Sequence, residues 1–373
     1  MSIETLVELS RFYGSDPAYI LAGGGNTSWK DEDTLYVKGS GFSLAEASPA
    51  SFVKMDRKSL ARIWEKAYPP SNEEREREVL SDMMAAKKEG EEKKRPSVEA
   101  LLHDIMPFSF VVHLHPALVN GLCCSQKGEA SAREIFGEEA LWIPSTNPGY
   151  ILSRLVKDEM AAYYQKHRKN TSIILLQNHG VFVGADTKEG IGTIYDDIMS
   201  KIKRMIKREP DFSDEMRTAD GGSSENLVNE IIKTLSELAG FSAFMQSGET
   251  ASFIKSSESF YPVSSAFTPD HIVYAGSDPL FTEASTAAAV SDEWNERARK
   301  TGRNPKIVAV RNLGVFSAAA TEKAADFALD LFKDSVKVAL YTESFGGPLF
   351  MTADKIDFIN NWEVERFRSS VST

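Results

Sequence analysis

The stretch Phe110-Val111-Val112-His113-Leu114-His115-Pro116 places the tightest limits on this chain. It has the composition of a buried strand, and side chains alternate faces along a strand. His113 and His115 therefore point one way, and Val112 and Leu114 point the other. The apolar pair would pack on the core. The two imidazoles, about 7 Å apart along the backbone, could converge on one metal ion or sit as two buried, hydrogen-bonded histidines. Two ligands do not complete a site, because zinc takes three or four. Pro116 has no N–H for a ladder and should end the strand.

Other segments offer what that strand lacks. The glycines of Gly23-Gly24-Gly25 let the backbone approach an anion closely, and Asn26, Thr27 and Ser28 add side-chain donors. The plainer reading is a glycine-rich hairpin or bulge. No Gly-Lys-Ser/Thr follows, so this is not a Walker loop. The glycine spacing and the lack of a following helix exclude the dinucleotide fingerprint. A strand over 34–38 runs into a second small turn, Gly39-Ser40-Gly41. Two such turns suit one phosphate or carboxylate better than either alone. Residues 52–56 read as a strand and 57–67 as a helix. The Glu-, Lys- and Arg-dense run 72–95 reads as a solvated helix face or a mobile loop.

Ser97 reads as the N-cap of a helix that runs to about Met106 and is closed by Pro107. A helix start attracts anions. Glu99 is either a favourable charge at that helix start or a base beside an anion and a metal. His103 shares its helix face and reads first as a core histidine, second as a supporting partner of the site. Further on, two apolar strands flank Asn178-His179-Gly180, a hairpin-like turn. His179 at that tip is well placed as a third ligand. Three neutral imidazoles leave an open coordination position, which a catalytic metal requires. Residues 117–124 and 151–167 read as helices, and a long helix carrying Ile191 to Met205 closes the first domain.

A chain of 373 residues suggests two domains. The formal charge of -11 argues against nonspecific nucleic-acid binding. Cys123 and Cys124, adjacent and without a spaced partner, read as small buried residues in a reducing compartment. No signal peptide and no membrane-length apolar run is seen. A soluble, cytoplasmic protein without a membrane partner is expected.

Taken in order, Gly24-Gly25-Asn26, Gly39-Ser40-Gly41, Pro96-Ser97-Val98-Glu99, His113-Leu114-His115-Pro116 and Asn178-His179-Gly180 resemble the class II aldolase/adducin family over roughly residues 1–208. The resemblance implies an αβα sandwich with a largely antiparallel central sheet. It implies His113, His115 and His179 as ligands of a divalent metal, most often Zn2+, and Glu99 as the base. Gly25, Asn26, Ser40, Gly41 and Ser97 become phosphate or carbonyl contacts. The implied reaction is reversible cleavage of a ketose 1-phosphate to dihydroxyacetone phosphate and an aldehyde. The implied partners are a small sugar phosphate and further copies of the chain in a homo-oligomer.

One position departs from the pattern. Relatives that cut fuculose 1-phosphate carry a second serine where Val98 stands, so one phosphate hydroxyl is missing. Arg95-Pro96-Ser97-Val98-Glu99, with Thr268-Pro269-Asp270-His271 and Pro279-Leu280-Phe281, is similar to the aldolase part of bifunctional rhamnulose-1-phosphate aldolase/dehydrogenase proteins. The dehydrogenase portion is absent from this chain, so no nicotinamide cofactor is expected. An epimerase, dehydratase or decarboxylase would share the same ligands. An adducin-like scaffold or a pure anion-binding module would have no reason to keep Glu99 and three histidines.

A polar linker is expected over 209–225 and a second α/β domain over 226–373. Asn312-Leu313-Gly314-Val315-Phe316 echoes Asn178-His179-Gly180-Val181-Phe182, with Ala319 and Thr321 echoing Ala185 and Thr187. A long helix follows in both places, over 322–340 in the second. The second domain thus reads as a degenerate copy of part of the first, with leucine in place of the metal histidine. The plainer reading is chance similarity at a common strand–turn–strand–helix unit.

Overall fold

A computed structural model describes residues 2–218 and 224–364. The chain divides into two compact units. One holds Met1–Cys123, Gly128–Met205 and a short piece starting at Asn361; the other holds Cys124–Lys127 and Ile206–Asn360. Among the described residues no helix is long and apolar enough to cross a membrane.

The first unit opens with α1 (Ile3–Gly14), then β1 (Asn26–Lys30), β2 (Thr34–Lys38) and β3 (Phe52–Asp56). α2 (Arg57–Ile63), α3 (Asn72–Ala85) and α4 (Ala100–Ile105) lead to β4 (Phe110–Leu114). α5 (Ala117–Cys123), α6 (Gly128–Phe136), β5 (Ala140–Ile143) and α7 (Tyr150–His167) follow, then β6 (Ile173–Leu176), β7 (Gly180–Ala185) and α8 (Lys188–Lys203). The strands form one seven-stranded sheet in the order β3-β2-β1-β4-β7-β6-β5. Every neighbouring pair is antiparallel except β5 and β6. β4 lies at the centre, which is why all five of its residues are buried. On one face Val111, Ile174, Leu176 and Phe182 pack with Leu102 of α4 and Leu152 and Val156 of α7. Val112 and Leu114 alternate to the other face, and the Tyr195 hydroxyl of α8 donates to the Val112 carbonyl at 3.1 Å.

Several expectations shift. α2 stops at Ile63 rather than at 67. Residues 72–85 are a helix with a buried side: Val79 and Met83 join the core, and Glu76 accepts the Tyr150 N–H at 3.0 Å. Met205 lies beyond α8 and is exposed.

The second unit contains α9 (Glu225–Ala239), β8 (Phe244–Met245), α10 (Gly248–Phe253), α11 (Ser257–Phe260), β9 (Leu280–Thr282), α12 (Ala287–Thr301), β10 (Ile307–Val310), β11 (Gly314–Ser317), α13 (Glu322–Thr342) and α14 (Ala353–Asn361). Part of the expected linker, residues 219–223, lies outside the described residues. Nearer its start, Met216 pairs with Gln246 through two backbone hydrogen bonds of 2.8 and 3.0 Å.

The four strands here run in the order β8-β11-β10-β9. Their senses are antiparallel, antiparallel and parallel, as in β4-β7-β6-β5. The turns match as well. Asn178 and Asn312 both take left-handed backbone, with φ of 59° and 55°. Their N–H groups donate at 3.1 Å to Cys123 and Ile254, near the ends of α5 and α10. Thr187 and Thr321 cap α8 and α13 in the same way. Register then matches residues across the two sheets. Phe182 faces His113 and Val181 faces Leu114; Phe316 faces Phe244 and Val315 faces Met245. Phe244 and Gln246 therefore stand where His113 and His115 stand in the larger sheet, and Leu313 where His179 stands.

Candidate metal centre

β4 delivers His113 from inside the sheet and His115 from just beyond its end. The β6–β7 turn delivers His179 from the neighbouring strand pair. The left-handed Asn178 makes that turn tight, a conformation that asparagine tolerates. The Nε2 atoms of His115 and His113 are 2.9 Å apart, and those of His113 and His179 3.3 Å. All three ligand atoms lie within 4.8 Å of one another.

The tautomer of His113 follows from its second nitrogen. Nδ1 lies 3.0 Å from the Val181 carbonyl oxygen. A carbonyl only accepts, so Nδ1 carries the proton and Nε2 presents a lone pair to the cluster. Phe182 stacks on the same ring, with centroids 4.0 Å apart and planes 12° from parallel, and fixes its plane. Gly180 leaves room for the neighbouring ring: a Cβ there would stand 2.5 Å from Cδ2 of His115. Gly25, at φ 63°, lets β1 pass close to the His113 carbonyl, 2.8 Å from where its Cβ would be.

Glu99 completes the centre. Its Oε1 lies 3.4 Å from His113 Nε2 and 3.3 Å from His179 Nε2. That oxygen is buried and accepts no hydrogen bond. A buried carboxylate oxygen without a hydrogen bond, beside three converging ring nitrogens, is costly without a cation. The donor set therefore fits a divalent ion held by three imidazoles, with the carboxylate at its side.

The helix that carries Glu99 begins later than the capping rule predicts. α4 starts at Ala100, and Glu99 itself is its N-cap, with φ -92° and ψ 8°. Ser97 instead holds a turn: its Oγ accepts the Glu99 N–H at 3.2 Å, and its carbonyl accepts the Ala100 N–H at 3.1 Å. The side-chain bond arrives two residues on, so the chain turns once more before the helix begins.

The anion-loop residues meet around Ser97. Ser40 N–H donates to the Arg95 carbonyl at 2.8 Å, and Ser97 N–H donates to the Lys38 carbonyl at 3.2 Å, which sets the 39–41 turn against Ser97. Gly41 is exposed on that turn with φ 87°. Asn26 Nδ2 donates to Ser97 Oγ at 3.2 Å and to Glu99 Oε2 at 2.7 Å, so both its amide hydrogens are directed at these two residues. Sequence reasoning gives Val181 and Phe182 no part in the site, and reads Gly180 only as a turn residue and Ser28 only as an anion donor. Of these, only the glycine beside the turn histidine left a local signal.

The sequence profile described as the Class II Aldolase and Adducin N-terminal domain matches residues 4–190. A Bacillus subtilis (strain 168) protein named uncharacterized oxidoreductase YuxG is 30% identical over 196 residues, covering 50% of this chain. The chain spans 27% of the length of that relative. Among solved structures, the N-terminal class II aldolase domain of a conserved protein from Thermoplasma acidophilum is 26% identical, with a TM-score of 0.46; the match covers 55% of this chain and 93% of that one. The L-fuculose-1-phosphate aldolase from Thermus thermophilus is 15% identical, with a TM-score of 0.34, over 54% of this chain and 94% of that one.

Proposed function

The chain belongs to the class II aldolase and adducin family, and from that premise we propose that it is a metal-dependent aldolase. It cleaves a ketose 1-phosphate, of the rhamnulose 1-phosphate kind, reversibly to dihydroxyacetone phosphate and an aldehyde. The observation that carries this reading is Glu99 Oε1, a buried carboxylate oxygen without a hydrogen bond beside three converging imidazoles. A scaffold would gain nothing from that costly arrangement, whereas an enzyme that moves a proton next to a carbonyl needs it.

His113, His115 and His179 would hold the ion, which we take to be zinc. Bound there, it would supply Lewis-acid polarisation of the substrate carbonyl. The remaining work falls to the chain's own groups. Glu99 Oε1 moves the proton at the carbon beside the carbonyl, off it in condensation and back onto it in cleavage. Asn26 holds the other carboxylate oxygen still through its 2.7 Å bond. Ser40, Gly41, Ser97 and the Gly25-Asn26 turn anchor the phosphate and place that carbon within reach of Oε1. The proposal includes a soluble, cytoplasmic homo-oligomer that works on small sugar phosphates, without nucleic-acid or membrane partners.

The test is hydrogen exchange into dihydroxyacetone phosphate in D₂O, followed by NMR with zinc and no aldehyde. Stereospecific exchange that falls roughly 100-fold or more in Glu99→Gln, with zinc still bound, is the expected result. Zinc-loaded protein that exchanges nothing would remove this reading in favour of an epimerase or dehydratase.

A further inference from the structure

His103 lies wholly inside the protein, one turn beyond Glu99 on α4. Its ring joins two residues of β1. Nδ1 is 2.7 Å from Ser28 Oγ, and Nε2 is in close contact with Asn26 Oδ1. The amide oxygen of Asn26 can only accept, because both N–H groups point the other way, at Glu99 and Ser97. Nε2 therefore carries the proton, and Nδ1 accepts from the Ser28 hydroxyl. Burial, reinforced by His113 and Lys30, holds this imidazole well below the usual histidine range, so it remains neutral.

A directed chain results: Ser28 O–H to His103 Nδ1, His103 Nε2–H to Asn26 Oδ1, Asn26 Nδ2–H to Glu99 Oε2. An asparagine amide has two faces of nearly equal shape. Without a donor at Oδ1 it can flip and set its oxygen against the Glu99 carboxylate. We propose that His103 is a positioning residue that fixes the orientation of the Asn26 amide, so that Glu99 Oε2 is anchored and Oε1 alone faces the three imidazoles. This rests on the reading of Glu99 as the base. It makes His103 part of the proton-transfer geometry although it touches neither the histidine cluster's Nε2 atoms nor the carboxylate.

Two amide replacements separate the two ring nitrogens. In His103→Gln the side-chain nitrogen reaches the place of Nε2 and keeps a donor for Asn26. In His103→Asn it reaches only the place of Nδ1, so Asn26 loses its donor. The expected result is near-normal exchange of dihydroxyacetone phosphate in His103→Gln. In His103→Asn the exchange falls roughly tenfold to 100-fold, with zinc content and substrate KM little changed. The independent readout is ¹⁵N NMR of the zinc-free protein. His103 should be protonated at Nε2 and not at Nδ1, and the Asn26 side-chain amide signals should move in His103→Asn but not in His103→Gln.

Equal exchange in the two variants would overturn the proposal, as would zinc loss that tracks the rate loss. If the wild type itself exchanges nothing, the aldolase reading has failed, and the NMR decides alone. A proton on Nδ1, or Asn26 signals that ignore His103→Asn, would then overturn the positioning role.

Discussion

A Cβ placed on Gly180 would stand 2.5 Å from Cδ2 of His115 and 2.6 Å from the Leu114 carbonyl oxygen. Neither neighbour is a flexible chain end: one is a ring in the cluster, the other is backbone paired with β7. Gly180→Ala must therefore turn the His115 ring or part the strands. We expect zinc affinity to fall about 10- to 100-fold, the scale of losses when groups that orient ligands are disturbed. Stability should fall by about 1–3 kcal/mol from overpacking. Calorimetric zinc titration and urea unfolding check both, and unchanged affinity would mean that Gly180 does not set the His115 ring.

His179 and Leu313 occupy matching turns, and the sheets around them differ in what those turns meet. His179 meets His113 Nε2 at 3.3 Å, whereas the positions matching His113 and His115 hold Phe244 and Gln246 in the smaller sheet. His179→Ala should release zinc, because it takes away one of three imidazoles and Glu99, whose Oε2 is tied to Asn26 at 2.7 Å, is not free to turn both oxygens to the ion in its place. Leu313→His should leave the stoichiometry of bound zinc unchanged, since one added imidazole finds no second. Metal analysis after dialysis reads both variants. Tight zinc retained in His179→Ala would remove it as the third ligand.

The proposed role of Glu99 as the base carries a prediction about stability. Its Oε1 is buried without a hydrogen bond, 3.4 Å from His113 Nε2 and 3.3 Å from His179 Nε2. Glu99→Gln replaces that oxygen with an amide that can donate to an imidazole while its own oxygen still accepts from Asn26. The zinc-free variant should be more stable than the zinc-free wild type by about 0.5–2 kcal/mol, the usual gain when a strained functional group is relieved. Zinc should narrow or reverse the gap, because it stabilises the folded state according to its affinity. Urea unfolding with and without zinc reads this; a less stable zinc-free variant would mean that Glu99 is satisfied in some other way.

Most of the histidine cluster could be read from local pattern. Histidines two apart on an apolar run share a strand face whatever the tertiary context, and a histidine between asparagine and glycine at a strand break belongs to a turn. The two-sheet arrangement was also legible, because residues 312–321 carry the same turn and cap residues as 178–187, with leucine in place of His179. What escaped was set by long-range packing. The bond from Asn26 to Glu99 joins residues 73 positions apart, and that from Ser28 to His103 joins residues 75 apart. No spacing rule pairs them; they meet because β1 lies beside β4 while α4 crosses that face. α4 starts later than a capping Ser97 implies for a local reason: a serine that bonds two residues on makes a turn instead of a cap. The buried side of α3 was hidden by charge density, because Arg75 and Glu76 sink into the fold beside Val79 and Met83.

Lys30 supplies the pH dependence. It ends β1, nearly buried, and its Nζ donates to the His103 carbonyl at 2.5 Å. Burial, partly offset by Asp104, lowers it from 10.5 to about 7. Between those two values the unfolded chain holds a proton that the folded chain has lost. Stability must therefore rise with pH across that window, by at most about 1.4 kcal/mol per pH unit from this group. Below the window both states are charged and the full cost of burying the ammonium remains. Lys30→Met removes the titration while filling much the same space, so its unfolding free energy should lack this rise. The measurement is the difference between wild type and variant in urea unfolding, taken from about 7 to 10.5. A difference that stays flat across that range would mean that Lys30 stays protonated in the fold, as an ammonium whose charge is compensated where it lies. A difference that grows with pH in favour of the wild type would show the neutral amine holding the His103 carbonyl.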